Sequence, residues 1–123
     1  MATILVLDDV PQAVDAIKKI LERAGHEVVG FSDEAEAIDY VKQHPIDLAV
    51  LDIVLKNMSG VDVLKQMKGI NQTIKAIMLT GYPGLDTASK SLEWGADEYC
   101  VKPIDKDELE LKVSVVLAQS MPL

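Results

Sequence analysis

Several absences bound the class of this chain. It holds one cysteine, Cys100, so no internal disulfide can form, and its place inside an apolar run suits a buried thiol in a reducing compartment. Positive charge is also scarce. Twelve Lys and Arg against twenty Asp and Glu leave a net charge of −8, which would repel a phosphate backbone and excludes a direct nucleic-acid surface. No apolar run approaches the ~20 residues of a membrane span, and no basic region precedes Ile4-Leu5-Val6-Leu7, which Asp8-Asp9 cut short. A soluble, cytoplasmic protein without a membrane partner is expected. Neither a GxGxxG nor a P-loop occurs, and there is no linker, repeat or low-complexity tract. His26 and His44 lack a metal-ligand partner at suitable spacing and are expected at the surface.

What remains is a regular alternation. With 123 residues, 49% of them hydrophobic, the chain is sized for one domain over residues 1–123 with one real core. Short branched runs at residues 4–7, 28–31, 48–51, 74–79 and 99–101 read as strands. Between them lie segments of helical period. The first runs from Pro11, with Val14, Ile17 and Leu21 on a broad apolar stripe with Ala13, Ala16, Ile20 and Ala24, to a stop at Gly25. The second is capped by Ser32 or Asp33 and carries Ala35, Ala37, Ile38 and Val41. A short third follows Gly60 with Val61, Leu64 and Met67; a fourth spans Gly84 to Trp94, with Gly95 as a left-handed cap and Trp94 packed at its end; the last opens at Asp105 and reaches Gln119. Strand then helix, five times over, predicts an α/β fold with a parallel sheet covered on both faces through right-handed crossovers. Runs 4–7 and 48–51 are apolar on both faces and therefore central.

The chemistry sits where these runs end. The first strand runs into Asp8-Asp9, the third into Asp52, the fourth into Thr80, and the fifth delivers Lys102-Pro103. In an open parallel sheet the carboxyl ends share one edge, where ligands bind. Three acids, a hydroxyl and an ammonium would meet there. A hard divalent cation such as Mg2+ takes oxygen ligands from one or two carboxylates and from phosphate oxygens. Asp9 and Asp52 suit direct ligation, with Asp8 acting through water. Asp52 is the candidate nucleophile, since a carboxylate can attack phosphorus to give an acyl phosphate. Lys102 would share the charge on the equatorial oxygens and Thr80 would hydrogen-bond one of them.

Asp8-Asp9, Asp52, Thr80, Tyr99 and Lys102-Pro103, in order at matching strand ends, resemble the receiver domain of two-component response regulators over the whole chain. An isolated Asp-Asp or Lys-Pro pair would mean little, whereas five stations on a matching pattern are specific. The resemblance implies a doubly wound five-stranded sheet, (βα)5 and flavodoxin-like, in strand order 2-1-3-4-5. It also implies the Val54 backbone carbonyl as a further Mg2+ ligand, and a switch in which Thr80 and the Tyr99 ring respond to the phosphoryl group. Two departures stand out. Lys56 occupies a place where many receivers carry proline, leaving the loop after Asp52 less restrained in φ, and Val10 replaces a possible third acid.

The function so implied is a phosphorylation-dependent switch that takes its phosphoryl group from a histidine kinase or phosphotransfer protein and catalyses only its own modification. It would pass the signal to a downstream protein target or an attached effector domain. Two other classes compete with it: an interaction module independent of phosphorylation, and an aspartate-nucleophile phosphatase, whose second acid is missing because Val54 stands two residues after Asp52. By the same resemblance Val54 and Tyr82 flank the path of the attacking water, and with no acid or amide there to orient it the acyl phosphate should be slow to hydrolyse. On the last helix Leu109, Val113, Val116 and Leu117 should face the sheet, leaving Leu111, Val115 and Ala118 as a second apolar stripe. Together with the fourth helix and fifth strand this stripe is the expected output or homodimer face, with Asp97 and Lys112 exchanged across a two-fold axis.

Overall fold

Strand residues of this chain alternate strictly between two cores. Leu5, Leu7, Ala49 and Leu51 belong to one buried cluster, while Ile4, Val6, Leu48 and Val50 belong to the other, because successive side chains on a strand point to opposite faces. The computed structural model of the chain describes residues 2–81, 93 and 95–119. Its strands are β1 (Thr3–Leu7), β2 (Glu27–Phe31), β3 (Leu48–Asp52), β4 (Lys75–Thr80) and β5 (Glu98–Val101), all parallel, in the order β2-β1-β3-β4-β5. This is the flavodoxin-like arrangement expected. Helices α2 (Glu34–Gln43) and α3 (Gly60–Ile70) cover the first cluster; α1 (Pro11–Arg23) and the C-terminal helix, α4 (Lys106–Gln119), cover the second. Central β3 is buried throughout.

Local signals behave as their chemistry dictates. Pro11 begins α1, and Asp33 rather than Ser32 caps α2, its carboxylate accepting from the Glu36 amide at 3.0 Å. Gly25, just past α1, and Gly95 adopt left-handed φ values of +96° and +100°, where a Cβ would be strained. The α1 stripe is narrower than expected: Val14, Ile17 and Leu21 are buried, but Ala16 and Ala24 are exposed. In α2 the discrepancy is sharper, since Ala35 is exposed and Glu34 takes the buried place at the helix start. Strand β4 is displaced by one residue, so that Thr80 lies within it. Apart from residue 93, the helix expected over 84–94 falls outside the described residues, as do Tyr82 and Pro83.

Candidate functional site at the carboxyl edge of the sheet

Parallel register brings the strand ends to one line. Leu7 pairs with Leu51, Asp52 with Leu79, and Thr80 with Val101, so Asp8, Asp52, Thr80 and Lys102 emerge along one edge. The Lys102 ammonium donates to Asp8 Oδ2 at 2.8 Å and to Asp52 Oδ2 at 3.0 Å. The other oxygen of each acid accepts the amide two residues ahead: Val10 N–H on Asp8 Oδ1 at 3.0 Å, and Val54 N–H on Asp52 Oδ1 at 3.2 Å. Both are Asx-type turns. Each carboxylate is thereby held from its backbone side and from the lysine side.

One cation shared by two anions leaves the balance uneven. Burial, with Asp52 only 5% exposed, pushes its pKa up; Lys102 opposes the shift and the neighbouring Asp8 adds to it. Burial also disfavours the Lys102 ammonium, but its hydrogen bonds to both carboxylates outweigh that cost and raise its pKa. Asp8 is fully buried and Asp9 exposed, and Asp8, Asp9 and Asp52 each offer an oxygen with all three within 4.8 Å of one another. A buried pair of acids topped by an exposed third, all oxygen donors, fits a hard divalent cation entering from solvent, in keeping with the Mg2+ expected. Such a cation would offset the repulsion that a single lysine leaves.

The other predicted stations are placed as follows. Thr80 is 1% exposed, and its carbonyl accepts the Lys102 amide at 2.7 Å. Tyr99 is half-buried, with the Lys112 ammonium 5.6 Å from its ring centroid and donating to its carbonyl at 2.6 Å. Val54 is 57% exposed beside Asp52; Tyr82 is outside the described residues. On α4, Leu109, Val113 and Val116 are buried, whereas Leu111 and Val115 are 65% and 48% exposed, as the helical period required. The two-fold exchange meets competition within the chain. Asp97 accepts the Ala76 amide at 2.9 Å and lies 3.8 Å from Lys75, while Lys112 lies 3.1 Å from Glu108 and 3.9 Å from Glu98. Cys100 is buried as expected, and burial pushes its thiol up to about 11. His44 is exposed, its ring stacked on Tyr40. His26 departs from expectation: it is half-buried, its Nδ1 accepts the Ala2 amide at 3.2 Å, and desolvation lowers its pKa.

Three further residues shape the site. Gly60 starts α3 directly beneath Asp52, where a Cβ would come 2.1 Å from the Asp52 carbonyl oxygen. Its amide donates to the Ile53 carbonyl at 2.7 Å, closing the loop after β3 at its base. At the tip, Glu34 accepts the Asn57 amide on Oε1 at 3.0 Å and the Asn57 side-chain amide on Oε2 at 3.1 Å. Those bonds, the Asn57 amide foremost, hold the Glu34 pKa low despite burial. Lys56 leaves φ of the loop freer than a proline would, and the loop tip is held instead by the two Asn57–Glu34 hydrogen bonds. The available signal was an acid immediately after a capping Asp33, at the edge of the apolar stripe; nothing local linked it to Asn57.

Comparison with known proteins agrees with this geometry. The response regulator receiver domain family matches residues 4–114. Transcriptional regulatory protein ZraR of Klebsiella oxytoca is 33% identical over 117 residues, covering 95% of this chain and 26% of that protein. Sporulation initiation phosphotransferase F of Bacillus subtilis is 32% identical over 106 residues, covering 86% of each. A CheY-like receiver domain protein of Methanospirillum hungatei JF-1, solved by crystallography, superposes with a TM-score of 0.92 at 32% identity, over 98% of this chain and 96% of that one. The chain spans about a quarter to a half of the length of the first curated relatives, 26% of ZraR and 52% of the heme response regulator HssR of Staphylococcus saprophyticus. The chain belongs to the receiver-domain family of two-component response regulators, proteins that signal through phosphorylation.

Proposed function

We propose that Asp52 accepts a phosphoryl group from the phosphohistidine of a histidine kinase or phosphotransfer protein, in a Mg2+-dependent step, and that the modified domain changes its affinity for a protein partner. The observation carrying this reading is the Asp8–Lys102–Asp52 arrangement, with Lys102 2.8 and 3.0 Å from the two carboxylates. In the step itself an oxygen of Asp52 forms a bond to phosphorus while the bond from phosphorus to the donor nitrogen breaks, its electron pair staying on the imidazole. Asp52, Asp9 and, through water, Asp8 would hold the cation, with the Val54 carbonyl as a further donor. When bound, Mg2+ supplies positive charge to the transferring oxygens. Lys102 would add its own charge to them, and Thr80, at the end of β4, would hydrogen-bond the phosphoryl group.

The added charge, about −1.5 to −2 at neutral pH, would bias two states of Thr80, Tyr99 and the β5–α4 face. The exposed Leu111 and Val115 stripe is the surface read by a downstream target, an effector domain or a second copy of the chain. The domain acts on no substrate but itself, in the cytoplasm.

The test is phosphorylation by a small acyl phosphate with Mg2+, followed by intact-mass measurement. Wild type should gain one hydroxylamine-labile group and Asp52→Asn none. Full labelling of Asp52→Asn would sink the reading. A wild type that binds its partners equally well without ever being labelled would instead favour the phosphorylation-independent module.

A further inference from the structure

A third buried carboxylate lies away from the cation cluster, on the helix facing the phosphoacceptor loop. Glu34, in the first turn of α2, is 3% exposed, yet its partner across 23 positions is not a base but the tip of the β3–α3 loop. Both of its oxygens are engaged there, one by the Asn57 backbone amide and one by the Asn57 side chain. Burying a carboxylate is costly unless its lone pairs are satisfied. An apolar residue at this place would bury more easily but would hold nothing at Asn57.

That loop is the one whose amide orients Asp52. Its base is pinned by the Gly60 amide on Ile53 and by the pairing of Val54 with Ser59. From this loop the Val54 N–H reaches Asp52 Oδ1 at 3.2 Å, while Lys102 holds Oδ2 at 3.0 Å. The direction of the carboxylate is thus set from two sides, and only one of them is a long-range ion pair. The other depends on where residues 54–57 sit. We propose that Glu34 is a positioning residue for the phosphoacceptor: by holding Asn57 it fixes the loop, and through the Val54 amide it fixes the attacking carboxylate. A nucleophile displaced by ~1 Å from its in-line approach loses on the order of 100-fold in rate. A brace of this kind therefore acts on chemistry without touching the reacting atoms. The inference rests on the phosphotransfer reading given above.

The carboxylate's charge is not what the brace requires. Glu34→Gln can keep both bonds, its oxygen accepting the Asn57 amide and its nitrogen donating to a reversed Asn57 side chain. Glu34→Ala can keep neither. The experiment measures the rate of Asp52 labelling by a small acyl phosphate at saturating Mg2+, alongside amide hydrogen exchange of residues 54–57 and thermal unfolding, in wild type and both variants. We expect Glu34→Ala to label about 10-fold more slowly, and Glu34→Gln to recover to within about 3-fold of wild type. Exchange at Val54 and Asn57 should rise in the alanine variant alone. Should Glu34→Ala fail to fold, Asn57→Asp takes its place, setting a second carboxylate against Glu34, and should label at a similarly reduced rate.

Two results would overturn the inference. One is a folded Glu34→Ala, or in its stead Asn57→Asp, that labels at the wild-type rate while its loop exchanges faster. The other is a Glu34→Gln as slow as the alanine variant with its loop still protected, which would make charge rather than position the operative property. Absence of labelling in wild type would overturn the phosphotransfer reading as well, and is recognisable because it precedes any substitution.

Discussion

The two edges of the sheet use the same residue types to opposite ends. At the amino edge, polar side chains that immediately precede a strand each accept one backbone amide of a neighbouring strand's start. Asp47, before β3, takes the Thr3 amide at 2.8 Å; Asp97, before β5, takes the Ala76 amide at 2.9 Å; His26, before β2, takes the Ala2 amide at 3.2 Å. At the carboxyl edge, Asp8 and Asp52 end or follow strands and face each other across a single lysine. The amino edge distributes its acids so that each completes a hydrogen bond; the carboxyl edge concentrates them, so that burial and mutual repulsion push Asp52 up. An acid at a strand end is therefore structural or reactive according to which end it occupies. The first kind satisfies the backbone, and the second is left with an unmet demand for positive charge.

The difference can be broken most forcefully at Lys102. Lys102→Ala leaves two buried carboxylates without their cation, so in chelator it should lose about 1–3 kcal/mol in denaturant unfolding, the lower end reflecting the lysine's partial exposure. Saturating Mg2+ should return part of that loss, because a ligand that binds only the folded state stabilises it. A variant as stable as wild type in chelator would mean that the carboxyl edge carries no such tension.

At the other edge, Asp97→Ala removes the acceptor for the Ala76 amide and should cost about 1 kcal/mol, with no change in the rate of Asp52 labelling. A loss of labelling with unchanged stability would erase the distinction between the edges. The smallest effect belongs to His26. Its pKa is lowered from 6.5 by desolvation and by the nearby N-terminal charge, so the unfolded chain takes up the proton first as pH falls. Stability from this group is therefore level above 6.5 and declines as pH drops through the lowered value. His26→Gln, which keeps an acceptor and does not titrate, should show a shallower fall in urea midpoint between about pH 7.5 and pH 5.5; parallel curves would place the titration elsewhere.

Legibility in the sequence followed the range of the interaction. Asp8, Asp52, Thr80 and Lys102 could be read because each is fixed by a strand of four to six residues whose direction the topology dictates. The buried and exposed sides of α4 could be read because Leu109, Val113 and Val116 repeat with the helical period, leaving Leu111 and Val115 outside. Glu34 could not: an acid in a first turn is ordinarily a solvated group favoured by the helix dipole, and its burial depends on Asn57 arriving from another unit of the fold. His26 was misread for the same reason, since its partner, the Ala2 amide, lies 24 residues away.

By itself, then, the amino-acid sequence determined the alternation of strand and helix, the two-faced burial of β1 and β3, and the edge on which the reactive groups collect, because side-chain period and strand direction are local properties. Only the tertiary structure decided that Lys102 divides itself between Asp8 and Asp52, that Gly60 lies against the backbone of Asp52, and that Glu34 holds the loop at Asn57. Those outcomes turn on ångström-scale distances between segments remote in sequence, which packing sets and no local pattern encodes.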